Sequence, residues 1–184
     1  MEYVRIAEDR IGSLIGKEGE VKSAIEKRLD VSLDVDSRAG MVTIRNRGAD
    51  PLAEWKARDM VRAINYGIDL SAALRLSDDD HTLVVIDLSD IVGRSKKAIV
   101  RQKARIIGRG GKTKAHISGL TDVSISIKGR RVALVGRTEW VMIAKEAVEA
   151  LAGGLPHGVV YKALERKCSA IRMQQKVDLW RPSR

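Results

Sequence analysis

Ile15-Gly16-Lys17-Glu18-Gly19 and Ile107-Gly108-Arg109-Gly110-Gly111 lie 92 residues apart, and the chain around them repeats at that offset. Lys22 answers Lys114, Ile25 answers Ile117, and Asp30-Val31-Ser32 answers Asp122-Val123-Ser124, all without a gap. Leu33 and Val35 then match Ile125 and Ile127. In a chain of 184 residues, such a repeat argues for two similar units of about 80–100 residues each.

Outward from the first motif, Tyr3–Ile6 alternates as a strand, and Asp9 is placed to cap a short helix over residues 10–14. A second helix, residues 19–29, puts Val21, Ala24, Ile25 and Leu29 on one face. Residues 31–35 and 41–44 read as a hairpin, and Asp50-Pro51 opens a long helix to about residue 64. Residues 65–80 form a connector with a short helix at 71–76, and the order then restarts. A strand at 82–87, a Lys/Arg-rich helix at 95–106, the second motif, a helix at 113–118, a hairpin over 123–135 and a helix at 138–151 follow. Trp140, Ile143, Ala144, Ala147 and Leu151 mark the buried side of that last helix. The tail, from Gly158 to about residue 177, has no counterpart in the first half and reads as an added helix. The expected fold class is α+β: two β-α-α-β-β-α units with three-stranded sheets covered by helices, plus a C-terminal helix. The expected division is 1–76 and 77–184.

Hydrophobic residues make up 44% of the chain, but there is no Phe and only three each of Tyr and Trp, so the cores must be aliphatic. Residues 1–76 carry 13 Lys+Arg against 13 Asp+Glu, and the whole net charge of +10 falls in residues 77–184. Between Asp90 and Asp122 there is no acid, while Arg94, Lys96, Lys97, Arg101, Lys103, Arg105, Arg109, Lys112 and Lys114 all lie there. A one-sign field running into a glycine turn points to a polyanion rather than to an ordinary solvated helix face. The single Cys168 excludes an intramolecular disulfide framework and suits a reducing, cytoplasmic compartment. His81, His116 and His157 are too scattered to suggest zinc, the N-terminus reads as a strand rather than a signal peptide, and no apolar run is long enough for a membrane span.

A glycine turn opening a helix lets a phosphate-sugar backbone approach the main chain, where unpaired N–H groups and the helix dipole favour an anion. Lys17 and Arg109 add charge at the two tips. Beside each turn, Ile15 with Leu33, or Ile107 with Ile125, is expected to line a groove for about four unstacked bases. Gly111-Lys112-Thr113 mimics the end of a phosphate-binding P-loop, but Ile106 stands where the required glycine would be. A dinucleotide fingerprint fails likewise at Thr113.

The Ile-Gly-x-x-Gly turn, helix and hairpin resemble the K-homology (KH) domain in its eukaryotic type I order. The segments Asp9-Arg10-Ile11-Gly12, Leu14–Lys22, Asp50–Ala53, Lys56–Asp59, Ala104–Thr113 and Pro156–Arg166 extend the likeness over nearly the whole chain. Together they resemble the archaeal two-KH small-subunit assembly factors of the Pno/Dim/Krr-related family. That resemblance implies binding of single-stranded rRNA near the 3′ end of the small-subunit rRNA. It also implies contact with the α-subunit of translation initiation factor two and with the endonuclease that trims that end. The implied RNA-binding set is Ile15, Gly16, Lys17, Glu18, Gly19, Lys22, Arg105, Ile107, Gly108, Arg109, Gly110, Gly111, Lys112 and Lys114. A generic KH domain has an aliphatic residue three positions after the second glycine, where this chain has Lys22 and Lys114, each a candidate extra backbone contact.

Glu18 and Glu20 flank the first motif and weaken its field, so the second half is expected to supply most of the RNA affinity. The first half is left to restrict register or to bind protein. Trp55 and Trp140 are expected in the core, Trp180 as an interface anchor or a loose end, and Cys168 as a buried hydrophobe. His157-Gly158 reads equally as a structural turn or a contact surface. No paired-carboxylate or Cys/His pattern supports an enzyme, a metal or a cofactor. The expected function is a non-catalytic RNA-binding factor of ribosome assembly; the alternative is a protein-binding adaptor or scaffold.

Overall fold

The computed structural model describes residues 1–180, with side chains through Val177. In the first half, β1 (Glu2–Arg5), α1 (Glu8–Ile15), α2 (Glu20–Leu29), β2 (Val31–Asp36), β3 (Met41–Asn46) and α3 (Ala53–Asn65) follow the expected order. β3 lies centrally, antiparallel to both neighbours, so the sheet runs β1-β3-β2. Asp9 does not cap α1: Ala7 holds that position, and Asp9 sits inside the first turn with its carboxylate on Lys128. Asp50 accepts from the Leu52 amide at 2.9 Å at the start of the turn that leads into α3. Ala53, Ala57, Met60, Val61 and Ile64 then pack as the buried face of that helix.

The connector winds into α4 (Leu70–Leu74), capped by Asp69, and a further tight turn to Ser77. The second half repeats the first with β4 (His81–Asp87), α6 (Lys96–Ile107), α7 (Lys112–Thr121), β5 (Ser124–Lys128), β6 (Arg131–Arg137) and α8 (Thr138–Ala152). Its sheet is ordered β4-β6-β5, again antiparallel throughout. One element without a first-half counterpart is α5 (Leu88–Val92), which Asp87 caps through the Ser89 amide at 3.0 Å. Burial raises the Asp87 carboxyl, but the Ser89 hydroxyl and amide and the Arg130 guanidinium outweigh it and hold the group at about 2. The added helix is α9 (His157–Trp180), which packs against α8 and α7. The Trp180 side chain lies outside the described residues. No helix among the described residues is long and apolar enough to cross a membrane.

The two sheets are covered differently. On the second, Leu83, Val85, Ala133 and Val135 join the core of the first half, packing with Ile68, Ala72, Ala73 and Leu76 of the connector. The alternate residues Ile86, Val132 and Leu134 join the second half's own core with α6, α7 and α8. β6 is therefore buried without interruption from Val132 to Gly136, as a strand covered on both faces must be. The first sheet instead leaves Tyr3, Arg5 and Arg45 exposed on its outer face. At the repeat offset, Met41 and Thr43 become Ala133 and Val135, which is the exchange that receives the connector. Polar contacts fix the seam: Lys128 on Asp9 at 2.8 Å, the Ser126 hydroxyl donating to Tyr66 O at 2.8 Å, and Arg75 on Asp122 at 2.7 Å.

Candidate nucleic-acid interface

Both glycine turns adopt one backbone shape. Gly16 and Gly108 have φ of 76° and 75°, Glu18 and Gly110 have 51° and 60°, and Gly19 and Gly111 have 81° and 78°. The first glycine is sterically required. A Cβ on Gly16 would lie 2.6 Å from Val21 Cγ2 and 2.9 Å from the Val21 amide; on Gly108 it would lie 2.2 Å from Thr113 Oγ1. Gly19, Gly110 and Gly111 instead face open space, so the main chain there is uncovered. No side chain caps α2 or α7. Their leading N–H groups remain available to an anion arriving at the turn.

Charge separates the two. Beside the first turn stand the exposed Lys17, Glu18 and Glu20, and Lys22 pairs with Glu26 at 4.0 Å. At the equivalent of Glu26 the second half has Ser118, whose hydroxyl donates to Val123 O at 2.6 Å. Lys114 thus has no acidic partner on its helix. Among the described residues, Arg109, Lys112 and Lys114 make no ion pair, nor do Arg94 before α6 and Lys96, Lys97, Arg101 and Lys103 on it.

Arg105 is placed differently from the other implied RNA contacts. Its guanidinium donates to Leu151 O at 3.2 Å and to Leu155 O at 2.5 Å, closing the C-terminal end of α8. Arg10 does the same for α3, donating to Ile64 O at 2.7 Å. Ile15 and Ile107 are half-buried beside their turns. Leu33 and Ile125 do not line a groove: they are 2% and 6% exposed, because strand alternation turns them to the helix-covered face.

The C-terminal helix supports the second turn. The Tyr161 and Thr113 hydroxyls are 2.8 Å apart, and Thr113 is the residue against which Gly108 packs. The Tyr161 ring lies 4.5 Å from that of His116, and His157 Nε2 meets Arg105 O at 3.0 Å. His157 therefore ties α6 to α9, while Gly158 beside it is exposed. Thr113, Tyr161 and His157 were absent from the expected site; the hydroxyl at Thr113 where the repeat has Val21 was the available signal. Trp55 is not in the core, being 56% exposed, and Trp140 is half-buried with the Arg172 guanidinium 5.7 Å above it. Trp55 lies two residues from Ala57, on the opposite side of α3 from its buried stripe. Asp78, Asp80 and His81 come close together, but His81 is engaged by Asp80 and Arg75, and Asp80 also by Arg137.

Residues 82–169 match the model of a eukaryotic-type KH domain (KH-domain type I), in its Pno1 second-domain form. The KH domain-containing protein MJ0443 of Methanocaldococcus jannaschii is 46% identical over 98% of this chain and 79% of its own length. The pre-rRNA-processing protein pno1 of Aspergillus fumigatus is 29% identical over 79% of this chain; the match spans 58% of that protein's length. Among solved structures, a chain of the a/eIF2α–aDim2p–rRNA complex from Pyrococcus horikoshii is similar at 44% identity and a TM-score of 0.86, covering 92% of this chain and 94% of that one.

Proposed function

The chain belongs to the type I KH family of Pno1 and Dim2 proteins, and from that membership we propose that it is a non-catalytic, single-stranded RNA-binding factor acting on the 3′ region of small-subunit rRNA during ribosome maturation. The repeated element order supports reading it as two tandem type I KH domains, residues 1–76 and 77–184, the second extended by α9. The observation that carries the reading is the contrast at the two turns: the same backbone shape, with Glu18, Glu20 and Glu26 beside the first and the unpaired Arg109, Lys112 and Lys114 gathered at the second.

In this mechanism the phosphates of a single strand settle on the uncovered main chain at Gly110 and Gly111 and on the first amides of α7. Arg109, Lys112 and Lys114 neutralise them and release counterions, while Thr113 and Tyr161 hold the turn in shape. Gly16, Lys17, Gly19 and Lys22 form the weaker copy, in which Glu18 and Glu20 oppose a phosphate. Arg105 acts by positioning α6 rather than by touching RNA. The complex formed by the Pyrococcus relative supports the α-subunit of translation initiation factor two as a partner. The rRNA-trimming endonuclease and a cytoplasmic location are parts of the same proposal.

The test is binding to an oligonucleotide of the small-subunit rRNA 3′ end, compared with a shuffled strand and with the duplex, alongside crosslink mapping in cells. Preference for the single 3′-end strand and crosslinks at that end are expected. Equal affinity for duplex, or crosslinks spread over unrelated RNA, would overturn the assignment.

A further inference from the structure

We propose that a cleft between α3 and the connector docks a protein segment that carries an apolar anchor flanked by lysine or arginine. Leu52 and Trp55, 46% and 56% exposed, stand one turn apart at the start of α3. With Leu76 and Thr82 they line an open cleft of about 310 Å³ where α3, the connector and β4 meet. The exposed indole has no packing role in its own helix, whose core face is complete without it. Tryptophan is among the side chains that most often anchor protein interfaces, because it buries a large rigid surface at small entropic cost.

The rim selects the occupant. Asp59, Asp78 and Asp79 border the cleft, and the Asp79 side chain is 86% exposed. The two cations present are already held: Lys56 by Asp79 at 2.7 Å and Asp50 at 3.3 Å, and Arg58 by Asp59 at 3.4 Å and Glu2 at 3.5 Å. The carboxylates are paired as well, Asp59 with Arg58 and Arg62 and, through Oδ1 alone, Asp78 with Arg28 at 3.3 Å and Asp79 with Lys56, so the second oxygens of Asp78 and Asp79 are what a partner cation would meet. A partner lysine or arginine gains Asp78 or Asp79 and the face of the indole, while its apolar neighbour enters between Trp55 and Leu76. This surface is opposite in character to the second glycine turn, so one molecule can hold RNA and protein at once.

The experiment labels the full-length protein with 5-fluorotryptophan, giving signals from its three tryptophans, with Trp55→Phe identifying the relevant one. The probes are a short peptide of leucine, lysine and arginine, its glutamate counterpart, and an oligouridylate. The basic peptide is expected to move the Trp55 resonance saturably, and Asp78→Asn with Asp79→Asn is expected to weaken it at least about tenfold. A still Trp55 resonance, an equal response to the acidic peptide, binding untouched by the two substitutions, or a shift produced only by the RNA would each overturn the proposal.

Discussion

At the three positions compared, the two glycine turns differ by no more than 10° in any backbone angle, yet they sit in different chemical settings. The first is crossed by Glu18 and Glu20, its second lysine is paired, and its helix layer ends with α3. The second lies in a stretch of sequence with no acid between Asp90 and Asp122, and α9 buttresses it through Tyr161. Duplication thus preserved the backbone shape of the turn, while side-chain exchange changed the charge around it. The same division runs through the sheets, since only the second is apolar on its outer face and takes the connector. A third unit could not stack on the first sheet in the same way, because Tyr3, Arg5 and Arg45 occupy that face.

The strongest way to break the comparison is to remove the charge that distinguishes the turns. Changing Arg109, Lys112 and Lys114 together to Gln should weaken single-strand binding by about 1000-fold and lower the salt-dependence slope by about 2, as three phosphate contacts require. Changing Lys17 and Lys22 to Gln should cost less than about threefold in the same titration.

Acid sharpens the difference next. Asp87 is held at about 2 against an ordinary 3.8, so its contribution is complete above that ordinary value and drains as the pH falls toward 2. The stability at stake is about 2 kcal/mol, and urea unfolding at neutral and acid pH should find that Asp87→Asn removes this step. Hydrogen exchange at low pH should show the β4–α5 corner loosening before any part of the first sheet.

A smaller effect isolates the buttress. Tyr161→Phe deletes one hydroxyl contact with Thr113 and should cost about 1 kcal/mol in stability, with RNA affinity falling a few-fold. Because Val21 replaces Thr113 in the first half, the sensitivity is confined to the second turn. Smallest is the reverse exchange: Glu18→Gly with Glu20→Lys should raise affinity by about two- to fivefold, measured at low salt.

The element order was legible because periodicity and turn chemistry are local. The repeat at Asp30–Val35 and Asp122–Ile127 located both hairpins, and Asp50-Pro51 located the start of the third helix. What depended on contacts distant in sequence was harder to read. In sequence Arg105 belongs to the basic field, whereas in the fold its guanidinium closes the end of α8, 46 to 50 residues away along the chain. Leu33 and Ile125 line no groove because alternation along a strand does not say which face the helices cover. Two signals of these contacts do lie in the sequence. Val132–Gly136 lacks alternation, the mark of a strand buried on both sides, and Trp55 falls off the 53, 57, 60, 61, 64 stripe that defines the core of its helix.

The central claim, that the second turn supplies most of the RNA affinity, is tested most directly by one matched pair of variants. Glu18 shows that a side chain is tolerated at the third position of this turn at φ 51°, so Gly110→Asp with Arg109→Asp should fold. Its counterpart is Lys17→Asp with Glu18→Asp. Fluorescence anisotropy on the small-subunit rRNA 3′-end strand, at one fixed salt concentration, should show a loss of at least about 100-fold for the second-turn pair and under about threefold for the first-turn pair. Equal losses, or a larger loss from the first turn, would contradict the account.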